Sequence, residues 1–247
     1  MGSGSDNFDF KEFAKMANDR KLSPNQKIGF PDSYREGYEQ IIFIDILYKV
    51  NNLGAEKNIV LDIGPGCAAL PRLLIEHCKN NQHELIFLDS QEMLNLLPDQ
   101  KGITKIAGFY PACAEQLSPW KGRINAIICY SVLHYIFKEA AFWKFIDISL
   151  GMLSPGGQLL LGDIPNVSKR KRFFSSDNGI RFHQEFMQTM ERPVVLFNRI
   201  EEDLIDDTVV MAILQRARTQ GFDAYVLPQP PCLPMANRRE DILIVRP

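Results

Sequence analysis

The chain has 247 residues, 45% of them hydrophobic, and a formal net charge of −2 at pH 7. That length holds one large domain or one domain with a cap, and the apolar share is enough for a packed core. The balanced charge gives no global electrostatic case for nucleic-acid binding, and no run approaches the roughly 20 apolar residues of a membrane span.

Met1-Gly2-Ser3-Gly4-Ser5 reads as a flexible leader left by cloning, outside the fold, with no signal peptide expected after it. Residues 6–22 place Phe10, Phe13, Ala14 and Ala17 at helical spacing, which predicts a short amphipathic helix that Ser23-Pro24 breaks. A second helical pattern covers 33–51, and its 40–50 stretch is expected to lie on the sheet. Residues 6–52 thus form an N-terminal helical cap ahead of a main domain at 53–247.

The main domain then alternates. Strand 58–62 precedes helix 68–79, strand 84–88 precedes helix 91–97, and a short strand follows at 103–107. Strand 124–129 precedes helix 138–153, and strand 157–163 follows a Pro-Gly-Gly turn. This rhythm predicts an α/β fold, a Rossmann-like doubly wound, mostly parallel seven-stranded sheet with helices on both faces. Residues 164–205 interrupt it with the basic run Lys169-Arg170-Lys171-Arg172, a polar turn and a helix at 180–190. An insertion this long after strand 5 is expected to be a substrate cap. Helix 203–220 stops at Gly221, and strands at 222–227 and 241–245 close the sheet around a proline-rich loop.

The chemistry concentrates where the first strand ends. Val60-Leu61-Asp62-Ile63 runs into Gly64-Pro65-Gly66, a turn where a ligand can approach bare backbone. The second strand ends in Asp89, near the roughly 20-residue spacing of a ribose-binding acid. Asp89 followed by Ser90 also suits a helix start, and the two roles are compatible. Position 69 of the G-x-G-x-x-G pattern is Ala69, an allowed variant, so spacing alone admits a dinucleotide. Asp62 weighs against it, because a carboxylate beside the glycines repels pyrophosphate and attracts an amino group or a sulfonium.

At these residues the chain resembles the class I S-adenosylmethionine-dependent methyltransferases. Val60 to Ala68 looks like their first motif, and Leu88-Asp89-Ser90 with Met93-Leu94 like their second. Ala114-Glu115-Gln116-Leu117 is similar to the segment near the adenine. Ile124 to Tyr135 is similar to the fourth strand and its active-site end, and Leu153 to Leu161 to the fifth. The ordered set spans about residues 55–165. The resemblance implies S-adenosylmethionine as cofactor and S-adenosylhomocysteine as product. It implies cofactor contacts from Asp62, Gly64, Pro65, Gly66, Asp89, Ser90, Met93, Ala114, Glu115, Cys129, Tyr130 and Ser131, and N-terminal helices that cover the cofactor or shape the substrate pocket. One departure stands out. Many members carry an acid just before the alanine of the adenine segment, where this chain has Cys113, so backbone carbonyls or Glu115 are expected to meet the adenine amino group.

Methyl transfer to a hydroxyl also needs a base. His134, just past the fourth strand, is the first candidate, since an unperturbed pKa near 6.5 suits the task; packing of the loop is its other reading. His183 in the insertion is the second candidate. Tyr135 and Asp163, at the ends of strands four and five, are candidates to hold the acceptor. Arg170 and Arg172 in the basic run could grip an anionic group, and Asn237 and Arg238 near the last strand could face substrate; solvated surface is the competing reading for all four. The five cysteines, Cys67, Cys78, Cys113, Cys129 and Cys232, lack metal-ligand spacing, so no metal site is expected, and reduced thiols suit a cytoplasmic protein. The expected activity is methyl transfer to a small-molecule acceptor, such as a hydroxyl of a sugar or secondary metabolite, with an anionic acceptor included. No nucleic-acid or membrane partner is expected, and oligomeric state is not readable. The competing readings are a non-catalytic S-adenosylmethionine-binding regulatory protein and a nicotinamide-dependent oxidoreductase.

Overall fold

The structure, a computed structural model, describes residues 8–199 and 201–247; the leader expected at 1–5 lies outside them. Four helices lead into the sheet: α1 (Phe10–Asn18), α2 (Pro24–Lys27), α3 (Asp32–Arg35) and α4 (Glu39–Lys49). Asp9 and Glu12 form a reciprocal capping box at the start of α1, and Ser23 with Gln26 does the same for α2. The helix expected over 33–51 is split. Gly37 takes φ 84° between α3 and α4, a conformation that ends one helix and re-aims the next. α4 lies on the sheet, with Ile42, Phe43 and Ile46 buried in one cluster with Val60, Phe87 and Ile128.

The remaining elements are β1 (Ile59–Ile63), α5 (Ala69–Asn80), β2 (Glu84–Asp89), α6 (Gln91–Leu94), β3 (Ile103–Ala107), a 3-10 segment at Ala114–Trp120, and β4 (Ile124–Tyr130). They continue with α7 (Leu133–Glu139), α8 (Phe142–Met152), β5 (Leu153–Pro165), α9 (Val167–Ser175), α10 (Asp177–Met187), α11 (Asp207–Thr219), β6 (Asp223–Pro228) and β7 (Arg239–Val245). The seven strands form one sheet in the order β3-β2-β1-β4-β5-β7-β6. β1 to β5 pair in parallel, and β7 runs antiparallel to both β5 and β6.

Alternate residues of each central strand feed opposite faces. Leu61, Ile86 and Ile127 enter one core cluster, while Val60, Phe87 and Ala126 enter the other. Both faces are covered, so these strands read as continuous apolar runs. Emptying one such site, for example Phe87→Ala, costs about 3–5 kcal/mol because a cavity remains.

Other element boundaries differ from the sequence reading as well. The helix expected at 138–153 is two helices, α7 and α8, separated by an extended Ala140. α6 stops short of 97, ahead of Pro98. The basic run sits on a helix of its own, α9, whose first turn is capped by the Asn166 side chain. Asn166 also donates to Glu240 and Asp207, which ties the start of the insertion to β7 and α11. No helix among the described residues is long and apolar enough to cross a membrane.

Candidate functional site

The strand order reverses between β1 and β4, and their carboxyl ends flank a crevice, the usual ligand position of an open α/β sheet. Gly64 (φ 71°) and Gly66 (φ 65°) turn the chain there. A Cβ on Gly64 would stand 2.7 Å from Val132 Cγ2, and one on Gly66 would stand 2.5 Å from Ile28 Cγ2. The turn therefore needs glycine for both conformation and space. The Gly66 N–H donates to Asp89 Oδ2 at 3.0 Å, and the Ser90 N–H donates to Oδ1 at 2.7 Å. These bonds join the ends of β1 and β2 around one carboxylate. Burial raises the Asp89 carboxyl to about 6 against the lowering by those two donors.

The cleft encloses about 1000 Å³ with its open mouth included. Its floor includes Gly64, Pro65, Gly66, Asp89, Tyr130 and Ser131, and Met93 and Tyr135 also line it. Its cover is the N-terminal segment, with Phe10 and Phe13 from α1 and Ile28 and Phe30 from the chain around α2. The charged residues lining it are Arg35, Glu39, Asp89 and Glu139. A side cavity shares Gly64, Pro65, Leu70 and Tyr130 with this cleft and reaches Asp62. Asp62 is 7% exposed. Its carboxylate accepts no hydrogen bond among the described residues, and burial, aided by the Asp89 charge, raises it to about 8.

A buried polar network lies beside the floor. Ser131 (φ 61°) and Asp163 (φ 57°) both adopt left-handed backbone, costly for non-glycine residues and held by their surroundings. Ser131 Oγ donates to Asp163 Oδ2 at 2.5 Å and accepts from Arg35 Nη2 at 2.6 Å. Arg239 donates to the same Asp163 oxygen at 2.7 Å, while Arg35 lies 3.9 Å from it. Below them, Asp241 accepts from the Asp163 N–H at 2.7 Å and from Lys49 at 2.7 Å. Two guanidiniums thus share one carboxylate. Arg35, stacked 4.3 Å from the Phe30 ring centre, brings its guanidinium to the cleft wall.

Other sequence candidates fall elsewhere. Cys129 is wholly buried in the core cluster under the sheet, because its side chain takes the face opposite Tyr130. Ala114 packs against that core, and Glu115 is exposed on the 3-10 segment; neither lines the cleft. The Ser90 hydroxyl caps α6 by accepting from the Met93 N–H at 3.2 Å. His134 is half-buried, with Nδ1 sealed and unpartnered, and lies outside the lining. Burial and the Arg239 charge push it down to about 3, so its imidazole is neutral and a weak base near pH 7. His183 packs on α10 against Phe174 within the insertion. None of the described insertion residues lines the cleft, because Asn166 and the Arg172–Asp207 pair hold α9 against β7 and α11. Arg238 is half-buried and donates to Asn237 Oδ1 at 3.2 Å; burial and the charges of Arg239 and Arg170 lower it. Arg170, Asn237 and Arg238 form a basic corner outside the cleft lining. The sequence reading missed Arg35, Phe30 and Glu139, whose residue types carry no local signal of a site.

No protein-family model matches the chain, and no curated protein is similar to it in sequence. Solved structures are similar in fold. The CurJ carbon methyltransferase superposes with a TM-score of 0.58 at 16% identity, over 96% of this chain and 64% of that one. A SAM-dependent methyltransferase from Archaeoglobus fulgidus does so with a TM-score of 0.52 at 13% identity, over 87% of this chain and 97% of that one. The chain therefore spans less than two thirds of the length of the first of these. The likeness establishes the α/β fold of class I S-adenosylmethionine-dependent methyltransferases.

Proposed function

We propose that this chain, which has the fold of the S-adenosylmethionine-dependent methyltransferases, binds that cofactor in the cleft at β1 and β2 and transfers its methyl group to a small-molecule acceptor. The observation that carries the reading is the charge pattern of the site. A zwitterionic amino-acid nucleoside presents an ammonium, a carboxylate, two ribose hydroxyls and a flat base. The site presents an unpartnered buried carboxylate at Asp62, the lining cation Arg35, the acceptor Asp89 and an aromatic cover. Asp62 would take the ammonium, Arg35 the carboxylate, and Asp89 the ribose.

When bound, the cofactor supplies a methyl group on a positively charged sulfur with a good leaving group. The chain's residues align and seal. Phe10, Phe13, Ile28 and Phe30 keep water from the floor, and alignment of donor with acceptor supplies several kcal/mol of rate enhancement. Tyr135, which lines the cleft near Phe13 with ring centres 4.9 Å apart, would touch the acceptor. The roof over the cleft supports a small acceptor. The basic corner of Arg170 and Arg238 beside the cleft supports an anionic group on it. Five free cysteines support a reducing, cytoplasmic setting.

Calorimetry with S-adenosylhomocysteine and with NADH tests the reading. The expected result is micromolar binding of the first and none of the second; the reverse pattern would end it.

A further inference from the structure

We infer that Glu139, at the end of α7, recognises the adenine amino group, in place of the acid that the adenine segment lacks at Cys113. The inference rests on the cofactor reading above and adds to it the residue that selects the base.

Three observations lead there. First, Glu139 lines the cleft with one oxygen employed and one idle. Its Oε2 accepts from the Phe10 N–H at 2.9 Å, whereas Oε1 is buried without a partner. A buried carboxylate oxygen left without a donor is costly, and a ligand that brings an N–H recovers that cost. Second, its position matches the base end of the cleft. Phe10, whose backbone holds Glu139, sets its ring 5.0 Å from that of Phe109, which follows the edge strand β3. The tail-binding groups Asp62 and Arg35 stand at β1 and beside β4, and Asp89 stands at the end of β2. A nucleoside with its tail at β1 and its ribose at Asp89 continues toward β3, to Gly108, Phe109 and Tyr110. Ile136, one turn before Glu139, lines the same cleft as Tyr110.

Third, no acid of the adenine segment lines the cleft. The Cys113 side chain packs on Gly108, where a Cβ would stand 2.6 Å from its own Cβ. Burial raises the Cys113 thiol, which keeps it protonated and a weak acceptor. Glu115 is exposed and outside the lining. Glu139 is then the lining carboxylate beside Phe109 with an oxygen to spare. Phe10 and Phe109 supply aromatic surface for the base's flat faces.

The test compares S-adenosylhomocysteine with S-inosylhomocysteine, in which a carbonyl replaces the amino group, by calorimetry on the wild type, Glu139→Gln and Glu139→Ala. The wild type, with Glu139 ionised, should prefer the adenine ligand by at least tenfold, since a carboxylate oxygen only accepts. In Glu139→Gln the Phe10 N–H claims the amide oxygen, which turns the NH₂ group toward the base. The preference should then invert toward inosine, an outcome that mere support of α1 would not produce. Glu139→Ala should bind both ligands alike. Equal binding by the wild type, or an unchanged adenine preference in Glu139→Gln, overturns the inference while leaving the cofactor site standing. Failure of the wild type to bind either ligand removes the cofactor reading and this inference with it.

Discussion

The buried Asp62 makes a quantitative prediction about protons. Its carboxyl is raised from 3.8 to about 8, first by burial and then by Asp89. At pH 7 the ligand-free protein therefore holds Asp62 protonated by roughly ten to one, as one pH unit is tenfold. A ligand ammonium at that site favours the carboxylate and expels the proton. Binding of S-adenosylhomocysteine at pH 7 should release about 0.9 proton. The ligand's ammonium is already charged at pH 7, so the proton must come from the protein. Calorimetry in buffers of different ionisation enthalpy measures the number as a slope. The same shift governs stability. A carboxyl raised on folding contributes stability that is fully present below 3.8 and is lost as pH rises through about 8. Asp62→Asn should therefore gain in thermal midpoint over the wild type as pH climbs from 4 to 8, and its proton slope at pH 7 should be flat. A wild-type slope near zero at pH 7, or an unaltered slope in Asp62→Asn, would refute the placement of the ammonium.

Three further expectations concern single residues. Arg35→Met should weaken S-adenosylhomocysteine by roughly 10- to 100-fold, the worth of a charge-assisted bond at 1.5–3 kcal/mol. 5′-Methylthioadenosine, which has no amino-acid tail, should bind as before, and equal losses for both would remove Arg35 from the tail site. Gly66→Ala forces φ 65° on alanine and sets a Cβ 2.5 Å from Ile28. It should cost about 1–2 kcal/mol for the conformation and about 1–3 kcal/mol for crowding; an unchanged denaturation midpoint contradicts the tight contact of the N-terminal segment with the turn. His134, held at about 3, should contribute no limb to the pH–rate profile between 5 and 8. A limb near 6.5 that vanishes in His134→Gln would restore it as the base.

The sheet was legible because its strands are buried on both faces. Leu85-Ile86-Phe87-Leu88 needs no alternation, and such a run bounded by Asp89 announces a strand and its end together. The glycine turn was legible for a similar reason: Gly64 and Gly66 answer a local backbone demand, and Asp89 closes it through one N–H. Helix ends were less so, since Ala140 and Gly37 act through conformations that tertiary packing selects.

Sequence by itself determined the strands, the turn and the acid at the end of β2, because short-range sterics and burial write those features into neighbouring residues. Tertiary structure alone decided which distant groups complete the cleft. Arg35 reaches Ser131 across 96 residues, and Phe10 meets Glu139 across 129. It also decided where the insertion starts from, since Asn166 and Arg172 commit α9 to β7 and α11. Such contacts leave no periodic trace: a lone arginine or glutamate reads the same on a solvated face as in a cleft. Burial and the loss of competing partners make the difference, and both exist only once the chain has folded.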